Sequence, residues 1–116
     1  PYAQPPVGEL RWKPPVPAGA SGGSVNAKAY AKHCPQEDNK TDPAASEDCL
    51  YLNVFAPAGV ATSLTKRPVM VWIYGGANAF GASDFYDPSA LVESGDVLVV
   101  TLNYRVGALG FLAHPD

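Results

Sequence analysis

The chain has 116 residues, of which 47% are hydrophobic and 16% are charged, and its formal net charge is -3 at pH 7. This length and composition predict one domain with a buried core and exclude a disordered tail. The eight Lys and Arg residues are scattered along the sequence, so it lacks the basic patch typical of a nucleic-acid-binding protein. No apolar run approaches the ~20 residues that span a bilayer, so no membrane span is predicted.

The first part of the chain is rich in proline and predicts no regular helix. Six prolines lie between Pro1 and Pro17, and they favour an extended segment that follows the surface. A glycine-rich turn then precedes Ser24 to Tyr30, a segment whose pattern fits a short strand and a single helical turn equally well.

Two cysteines, Cys34 and Cys49, enclose a polar loop that cannot supply its own core. A disulfide would stabilise such a loop, whereas two reduced cysteines of a cytosolic protein fit the spacing equally well. No second ligand pair stands at zinc-site spacing, so no metal site is predicted. Asn39 begins a glycosylation pattern, and together with the cysteines it favours secretion.

Three apolar segments predict strands. Leu50 to Phe55 ends before a proline, while Val69 to Tyr74 and Val97 to Leu102 are near-continuous apolar runs. Valine-rich runs of this kind are typical of strands that are buried on both faces of a parallel sheet. The residues between the last two runs are numerous enough for the crossover that parallel strands require.

The crossover is predicted to contain a helix. Asp87 suits the N-cap, Pro88 suits the first helical position, and Gly95 is placed to end the helix. Leu91 and Val92 would face the sheet. The order of strand, turn, helix and strand predicts an open sheet of the α/β class.

A turn of small residues, Gly75, Gly76 and Ala77, follows the first of the two valine-rich strands. In α/β sheets, ligands bind outside the carboxyl ends of the strands, which is where this turn lies. Small residues allow a ligand oxygen to approach backbone N–H groups, as the oxyanion of acyl transfer requires. A tight turn without any chemical role fits the same three residues.

Four blocks of the sequence, in the same order, resemble the type-B carboxylesterases, an α/β-hydrolase family that includes cholinesterases and some fungal lipases. The blocks are Pro1 to Gly8 followed by Arg11-Trp12, Ser46 to Val54, Val71 to Ala77, and Asn103 to Phe111. The resemblance spans nearly the whole chain. It implies a partial α/β-hydrolase fold, with the N-terminal strands and first crossover helix of a mixed, mostly parallel sheet. Residues 1–116 are then the N-terminal part of a single α/β-hydrolase domain, and this part ends before the nucleophile elbow of the domain.

The resemblance implies roles for individual positions. Gly76 and Ala77 match the two oxyanion-hole residues of the family on this turn, and Gly75 would shape the turn. Cys34 and Cys49 match the first disulfide of the family. The loop that these cysteines enclose contains no Trp, Tyr or Phe, so a choline site of the cholinesterase type is not assigned.

Two further positions concern stability and substrate choice. Arg11 and Glu47 match an ion pair that ties the proline-rich segment to the second block, a structural role. Asn78 stands where many relatives carry an aromatic residue, which puts the lining of the acyl pocket, and with it the substrate, in question.

Ser21 stands in a Gly-x-Ser-x-Gly match, Gly19 to Gly23, but these residues belong to the glycine-rich turn and follow no predicted strand, so no nucleophile elbow is assigned. His33 and His114 are interpreted as structural residues. The resemblance therefore implies a secreted or extracellular serine esterase that hydrolyses a small-molecule carboxylic ester without a cofactor. This segment would supply the oxyanion hole, and it would be inactive without the rest of the domain. The alternative is a non-catalytic adhesion or structural member of the family, although the intact glycine turn favours the enzyme.

Overall fold

The structure is a computed structural model that describes residues 1–20, 22–36, 42–60 and 65–113. The regular elements in chain order are β1 (Leu52–Phe55), β2 (Val69–Trp72), α1 (Ser89–Gly95), β3 (Leu98–Leu102) and α2 (Gly107–Phe111). Single 3-10 turns occur at Gly8–Leu10 and Ser83–Phe85. The predicted strands and the crossover helix are thereby confirmed with shorter bounds. The glycosylation candidate Asn39 lies outside the described residues.

The three strands form one mixed sheet in the order β1-β3-β2. β3 lies in the middle, parallel to β2, with Val69 opposite Leu98, and antiparallel to β1, with Leu52 opposite Leu102. The parallel pair joined by α1 is the predicted crossover unit. The described strands form one parallel and one antiparallel pair, so the expected excess of parallel pairs is not found in this part of the chain.

The prediction that both valine-rich strands are buried on two faces is wrong for β2. β3 alternates, with Val99 and Thr101 buried, but all four residues of β2 are exposed. Burial on both faces requires a helical layer on each side of the sheet. The described helices have only seven and five residues, so they leave the apolar surface of the edge strand β2 uncovered.

Helix α1 begins one residue later than predicted. Pro88 occupies the N-cap position instead of the first helical position. The carboxylate of Asp87 nevertheless accepts hydrogen bonds from the N–H and the hydroxyl of Ser89, at 2.9 and 2.5 Å. These bonds stabilise the anion and lower the pKa of Asp87. Asp87 therefore caps the start of the helix from one position further out.

The end of α1 also differs from the prediction. Gly95 is the last helical residue, and the left-handed cap conformation falls on Asp96, which has φ 48° and binds Arg67 Nε at 2.7 Å. Asp tolerates this conformation better than most side chains. On the helix surface Val92 is buried, and Leu91, although exposed, lines a cavity with Trp72 and Val99 of the sheet, so Leu91 faces the sheet as predicted.

The apolar core lies where the proline-rich segment crosses the residues after the polar loop. A disulfide joins Cys34 to Cys49, and both residues are buried with Ala3 and Leu50, against which Tyr2 packs. Backbone bonds hold the two segments together, including one from the Tyr2 N–H to the Leu50 carbonyl at 3.0 Å. The first 17 residues contain no helix beyond the 3-10 turn at Gly8–Leu10, which continues into a turn at Arg11 and Trp12, and residues 24–30 form neither strand nor helix.

A polar network fixes the segment between β2 and α1 on the sheet. Asn53 Nδ2 donates to Ser83 Oγ at 3.1 Å and to Thr101 Oγ1 at 3.0 Å. Asn103 Oδ1 accepts the Ser83 N–H at 2.9 Å, and Asn103 Nδ2 donates to the Lys32 carbonyl at 3.3 Å. Because buried polar groups are costly without partners, this network gives the segment one defined position.

Helix α2 is an element that the sequence analysis missed. It forms the second half of the block from Asn103 to Phe111, and a side chain at Gly110 would overlap the Arg105 carbonyl oxygen. The close approach of Gly110 to Arg105 is a contact that no periodic pattern reveals. In the described ranges, no helix is long and apolar enough to cross a membrane.

The exposed surface of β2 predicts the behaviour of the isolated 116-residue chain. Val69, Val71 and Trp72 remain accessible to water, and an exposed apolar edge strand favours aggregation. Heating the isolated chain while recording circular dichroism should show a broad or irreversible change. A sharp, reversible and cooperative transition would contradict this expectation.

Candidate active site

The turn after β2 has an unusual backbone. Gly76 has φ 130°, and two consecutive residues with side chains, Ala77 and Asn78, have φ 54° and 61°. The left-handed region costs roughly 1–2 kcal/mol for a residue such as alanine. The Gly76 carbonyl closes the turn by accepting the N–H groups of Ala79 and Phe80, at 2.9 and 3.2 Å. Such strain is often found where the backbone has a function.

The carbonyl groups of the turn determine where its N–H groups point, because the C=O and N–H of a trans peptide face opposite directions. The Gly76 carbonyl is held inside the turn, so the Ala77 N–H faces outward. The Gly75 carbonyl oxygen points towards Gly81, because it would lie 2.8 Å from a Cβ built on that glycine. The Gly76 N–H, on the opposite side of the same peptide, therefore faces away from Gly81. Among the described residues, neither N–H has a hydrogen-bond acceptor.

Two adjacent unpartnered N–H groups on a partly exposed turn form a site with a definite chemistry. Donors that are already oriented stabilise an oxygen on which negative charge develops, because no reorganisation is needed when the charge appears. The structure therefore brings together Gly76 and Ala77, which the sequence analysis selected, in an arrangement able to bind an anionic oxygen.

Two positions in and just after this turn, Gly76 and Gly81, can hold only glycine. A Cβ on Gly76 would overlap the Phe80 carbonyl oxygen, and a Cβ on Gly81 would overlap the ring of Tyr74. At Gly75, by contrast, a Cβ would meet no atom within 4 Å. No sequence pattern predicts the role of Gly81, because that role depends on contacts with residues on the other side of the turn.

Two tyrosines, Tyr74 and Tyr104, join the ends of β2 and β3, and we call this pair the tyrosine clasp. Tyr104 Oη donates to the Tyr74 carbonyl at 2.6 Å, and Tyr74 Oη donates to the Tyr104 carbonyl at 3.0 Å. Their rings are stacked, with centroids 4.3 Å apart. Burial raises the pKa of Tyr74 to about 12, which keeps its hydroxyl protonated and able to donate.

Two further contacts hold the far end of the turn. The buried side chain of Gln36 accepts the Gly81 N–H at 2.8 Å and donates to the Gly81 carbonyl at 3.0 Å. Gln36 lies two residues after Cys34, so it connects the disulfide to the turn. The Gly107 N–H donates to the Asn78 carbonyl at 2.6 Å.

The ion pair of Arg11 and Glu47 is bidentate. Arg11 Nε and Nη2 each lie 2.6 Å from a Glu47 carboxylate oxygen, and the guanidinium lies 5.5 Å from the ring centre of Trp12. Hydrogen bonding to Glu47, followed by its charge, raises the pKa of Arg11. The pair connects the proline-rich segment to the residues after the polar loop.

His33 is buried and lies between two carboxylates. Its Nε2 is 3.4 Å from Asp42 Oδ2, and its Nδ1 is 3.9 Å from Asp84 Oδ2. The other histidine, His114, lies outside the described residues. In the part of the chain that the structure covers, no group of three or more His, Cys, Asp or Glu residues could hold a metal ion.

A mixed sheet with a donor turn at the carboxyl end of a parallel strand is consistent with part of an α/β-hydrolase fold. A family model described as "Carboxylesterase family" matches residues 1–116, so the chain belongs to the carboxylesterase family.

The chain is similar to several named esterases. It is 46% identical to "Fumonisin B1 esterase" of Sphingopyxis macrogoltabida over 99% of this chain and 22% of that protein. It is 48% identical to "Para-nitrobenzyl esterase" of Bacillus subtilis (strain 168) over 97% of this chain and 24% of that protein. The solved structure "PNB ESTERASE" superimposes with a TM-score of 0.84 at 49% identity, covering 98% and 24% of the two chains. The chain thus spans about a quarter of the length of these relatives.

Alanine substitutions at neighbouring glycines test the geometry of the turn. In the full-length protein, Gly76→Ala should lower the free energy of unfolding by at least ~2 kcal/mol, because the positive φ and the contact with Phe80 both oppose a side chain. Gly75→Ala is the matched control, and it should change stability by less than ~1 kcal/mol. Thermal unfolding of both variants checks this difference. Equal losses of stability at the two positions would show that the turn differs from the one described.

The buried phenol of Tyr74 predicts a loss of stability at high pH. Its pKa rises to about 12 in the folded protein, against ~10 in the unfolded chain, so folding favours the neutral form. The resulting stabilisation is complete below pH ~10 and is lost as the pH rises towards about 12. Urea unfolding of the full-length protein at a series of alkaline pH values should show a smaller decline in the free energy of unfolding for Tyr74→Phe than for the parent. Identical declines for both proteins would contradict the assignment.

Proposed function

We propose that this chain is the N-terminal part of a longer serine carboxylesterase, and that it supplies the oxyanion hole. The observation that carries the proposal is the pair of N–H groups on Gly76 and Ala77, which face outward without an acceptor among the described residues. In acyl transfer, a serine attacks the ester carbonyl, and the carbonyl oxygen becomes negatively charged in the tetrahedral intermediate. The two N–H groups would donate to that oxygen.

The nucleophile, the acid and the histidine base of this mechanism would lie outside the chain. No Gly-x-Ser-x-Gly motif follows a strand of this chain, since the match at Gly19 to Gly23 precedes the first strand, and the relatives are more than four times as long. In the proposed reaction the serine forms an acyl-enzyme and releases the alcohol, and water then releases the acid. Because these catalytic groups would lie outside the chain, the isolated segment would be inactive. The rest of the domain would also cover the exposed apolar surface of β2.

The proposed substrate is a small-molecule carboxylic ester, and Asn78 bears on which ester is chosen. Asn78 follows the two donors directly, and its side chain is exposed and makes no hydrogen bond to the described residues. A free carboxamide at this point would give the acyl pocket a polar wall where many relatives have an aromatic one. Such a wall favours acyl groups that carry a hydrogen-bonding substituent.

Secretion of the protein is part of the proposal. The structure contains the Cys34–Cys49 disulfide, and such bonds persist mainly in oxidising compartments. The bond stabilises the polar loop that carries Gln36, which in turn contacts Gly81 at the end of the turn. An extracellular location therefore suits the architecture of the site.

A direct test removes one N–H group from the full-length protein without altering a side chain. Proline would delete the N–H, but it requires φ near -65°, and Gly76 and Ala77 have φ 130° and 54°. Replacing Ala77 by lactic acid changes the amide to an ester, which removes the N–H donor and keeps the side chain, although it also weakens the Gly76 carbonyl as an acceptor. Hydrolysis of p-nitrophenyl acetate should become roughly 100-fold slower or more in kcat, as for the loss of one oxyanion donor.

The same amide-to-ester replacement at Ala90 controls for the chemistry of the substitution, because Ala90 is exposed in the first turn of α1. This control should leave kcat within about threefold of the parent value, which corresponds to less than ~1 kcal/mol. Equal kcat values for the Ala77 variant and the parent would remove Ala77 from the oxyanion hole. A folded full-length protein that hydrolyses no ester would favour the non-catalytic alternative.

A further inference from the structure

We propose that the Tyr104 hydroxyl is a positioning group that holds the turn of Gly75 to Phe80 in the orientation needed to bind the oxyanion. The inference rests on the proposed function, because it assigns a role in the same reaction. It concerns a side chain that does not touch the reacting atoms and acts through the backbone of the turn.

The hydroxyl acts directly on the peptide at which the turn begins. Tyr104 Oη donates to the Tyr74 carbonyl at 2.6 Å, and this carbonyl belongs to the peptide that joins Tyr74 to Gly75. Fixing the carbonyl fixes the plane of that peptide. The direction in which the chain enters the glycine turn is therefore determined by a side chain that lies two residues after the end of β3.

The same segment of the chain also holds the turn at Asn78. Three residues after Tyr104, the Gly107 N–H donates to the Asn78 carbonyl at 2.6 Å. The two unpartnered N–H groups, on Gly76 and Ala77, lie between these two attachment points. The turn is thus held on both sides of its donors by one short segment, from Tyr104 to Gly107.

The tyrosine clasp continues the connection between the strands where the β-ladder ends. The last register pair of β2 and β3 is Trp72 with Thr101, so beyond it no ladder pair joins these two strands. The clasp replaces the ladder with hydrogen bonds in both directions and with stacked rings only 16° from parallel. Stacking restricts the Tyr104 ring and therefore the direction of its hydroxyl.

Removing the hydroxyl should impair the chemical step more than substrate binding. In the full-length protein, Tyr104→Phe should lower kcat for p-nitrophenyl acetate roughly 10- to 100-fold, because small misplacements of catalytic groups have large effects. KM should change by less than about threefold, since the substrate is held by the same surface. A rise in KM with unchanged kcat would overturn the proposal.

Tyr2→Phe is the matched control, because Tyr2 Oη also donates to a backbone carbonyl, that of Asn103 at 2.7 Å. This bond reaches the residue next to Tyr104 but not the glycine turn. Tyr2→Phe should therefore leave kcat within about threefold of the parent, a change below ~1 kcal/mol. Equal reductions of kcat in the two variants would show a general loss of packing and overturn the positioning role.

Hydrogen exchange measured by mass spectrometry gives a readout that does not depend on activity. Peptides that cover residues 74–80 should exchange faster in Tyr104→Phe and at the parent rate in Tyr2→Phe. If the parent hydrolyses no ester, the proposed function fails, but this difference would still support the role of Tyr104 in orienting the turn. Unchanged exchange in Tyr104→Phe would overturn that role.

Rescue of the donor completes the test and applies even if Tyr104→Phe does not fold. p-Aminophenylalanine at position 104 places an N–H donor on the same ring. Recovery of folding, of slow exchange in residues 74–80 and of kcat would support the proposal. A folded p-aminophenylalanine protein with fast exchange in the turn would overturn it.

Discussion

The direction of two peptide planes is the constraint on which the rest of the site depends. The carbonyl groups of Gly75 and Gly76 lie on the inner side of the turn, so the N–H groups of Gly76 and Ala77 must face outward. Only a residue without a Cβ fits at position 76, because the Phe80 carbonyl occupies that space. The two donors are thus backbone groups, and side chains act on them only through the position of the turn.

The remaining architecture keeps that turn in place from several directions. Parallel pairing with β3 delivers the end of β2 to the sheet edge, and Tyr104 holds the carbonyl just before the turn. Gln36 holds Gly81 from the side of the disulfide, whose buried cysteines belong to the apolar core. Each contact joins segments that are distant in sequence, so the turn depends on the fold as a whole.

The sequence predicted the elements whose signals are local. Apolar runs located the three strands, and Asp87 marked the start of the crossover helix within two residues. The glycines of the turn indicated donors, and the resemblance related them to a family. The sequence did not predict the roles of Tyr104, Gln36 or Gly81, because contacts across 30 and 45 residues leave no periodic pattern. It also overestimated the burial of β2, whose cover would come from residues outside this chain.

The measurement that tests the central claim most directly is a crystal structure of the full-length protein inactivated by a p-nitrophenyl phosphonate. A phosphonate bound to the nucleophile imitates the tetrahedral intermediate, and its free oxygen takes the place of the oxyanion. That oxygen should lie about 2.7–3.1 Å from the backbone nitrogens of both Gly76 and Ala77. A phosphonyl oxygen that contacts neither nitrogen, in a protein with this turn intact, would contradict the account.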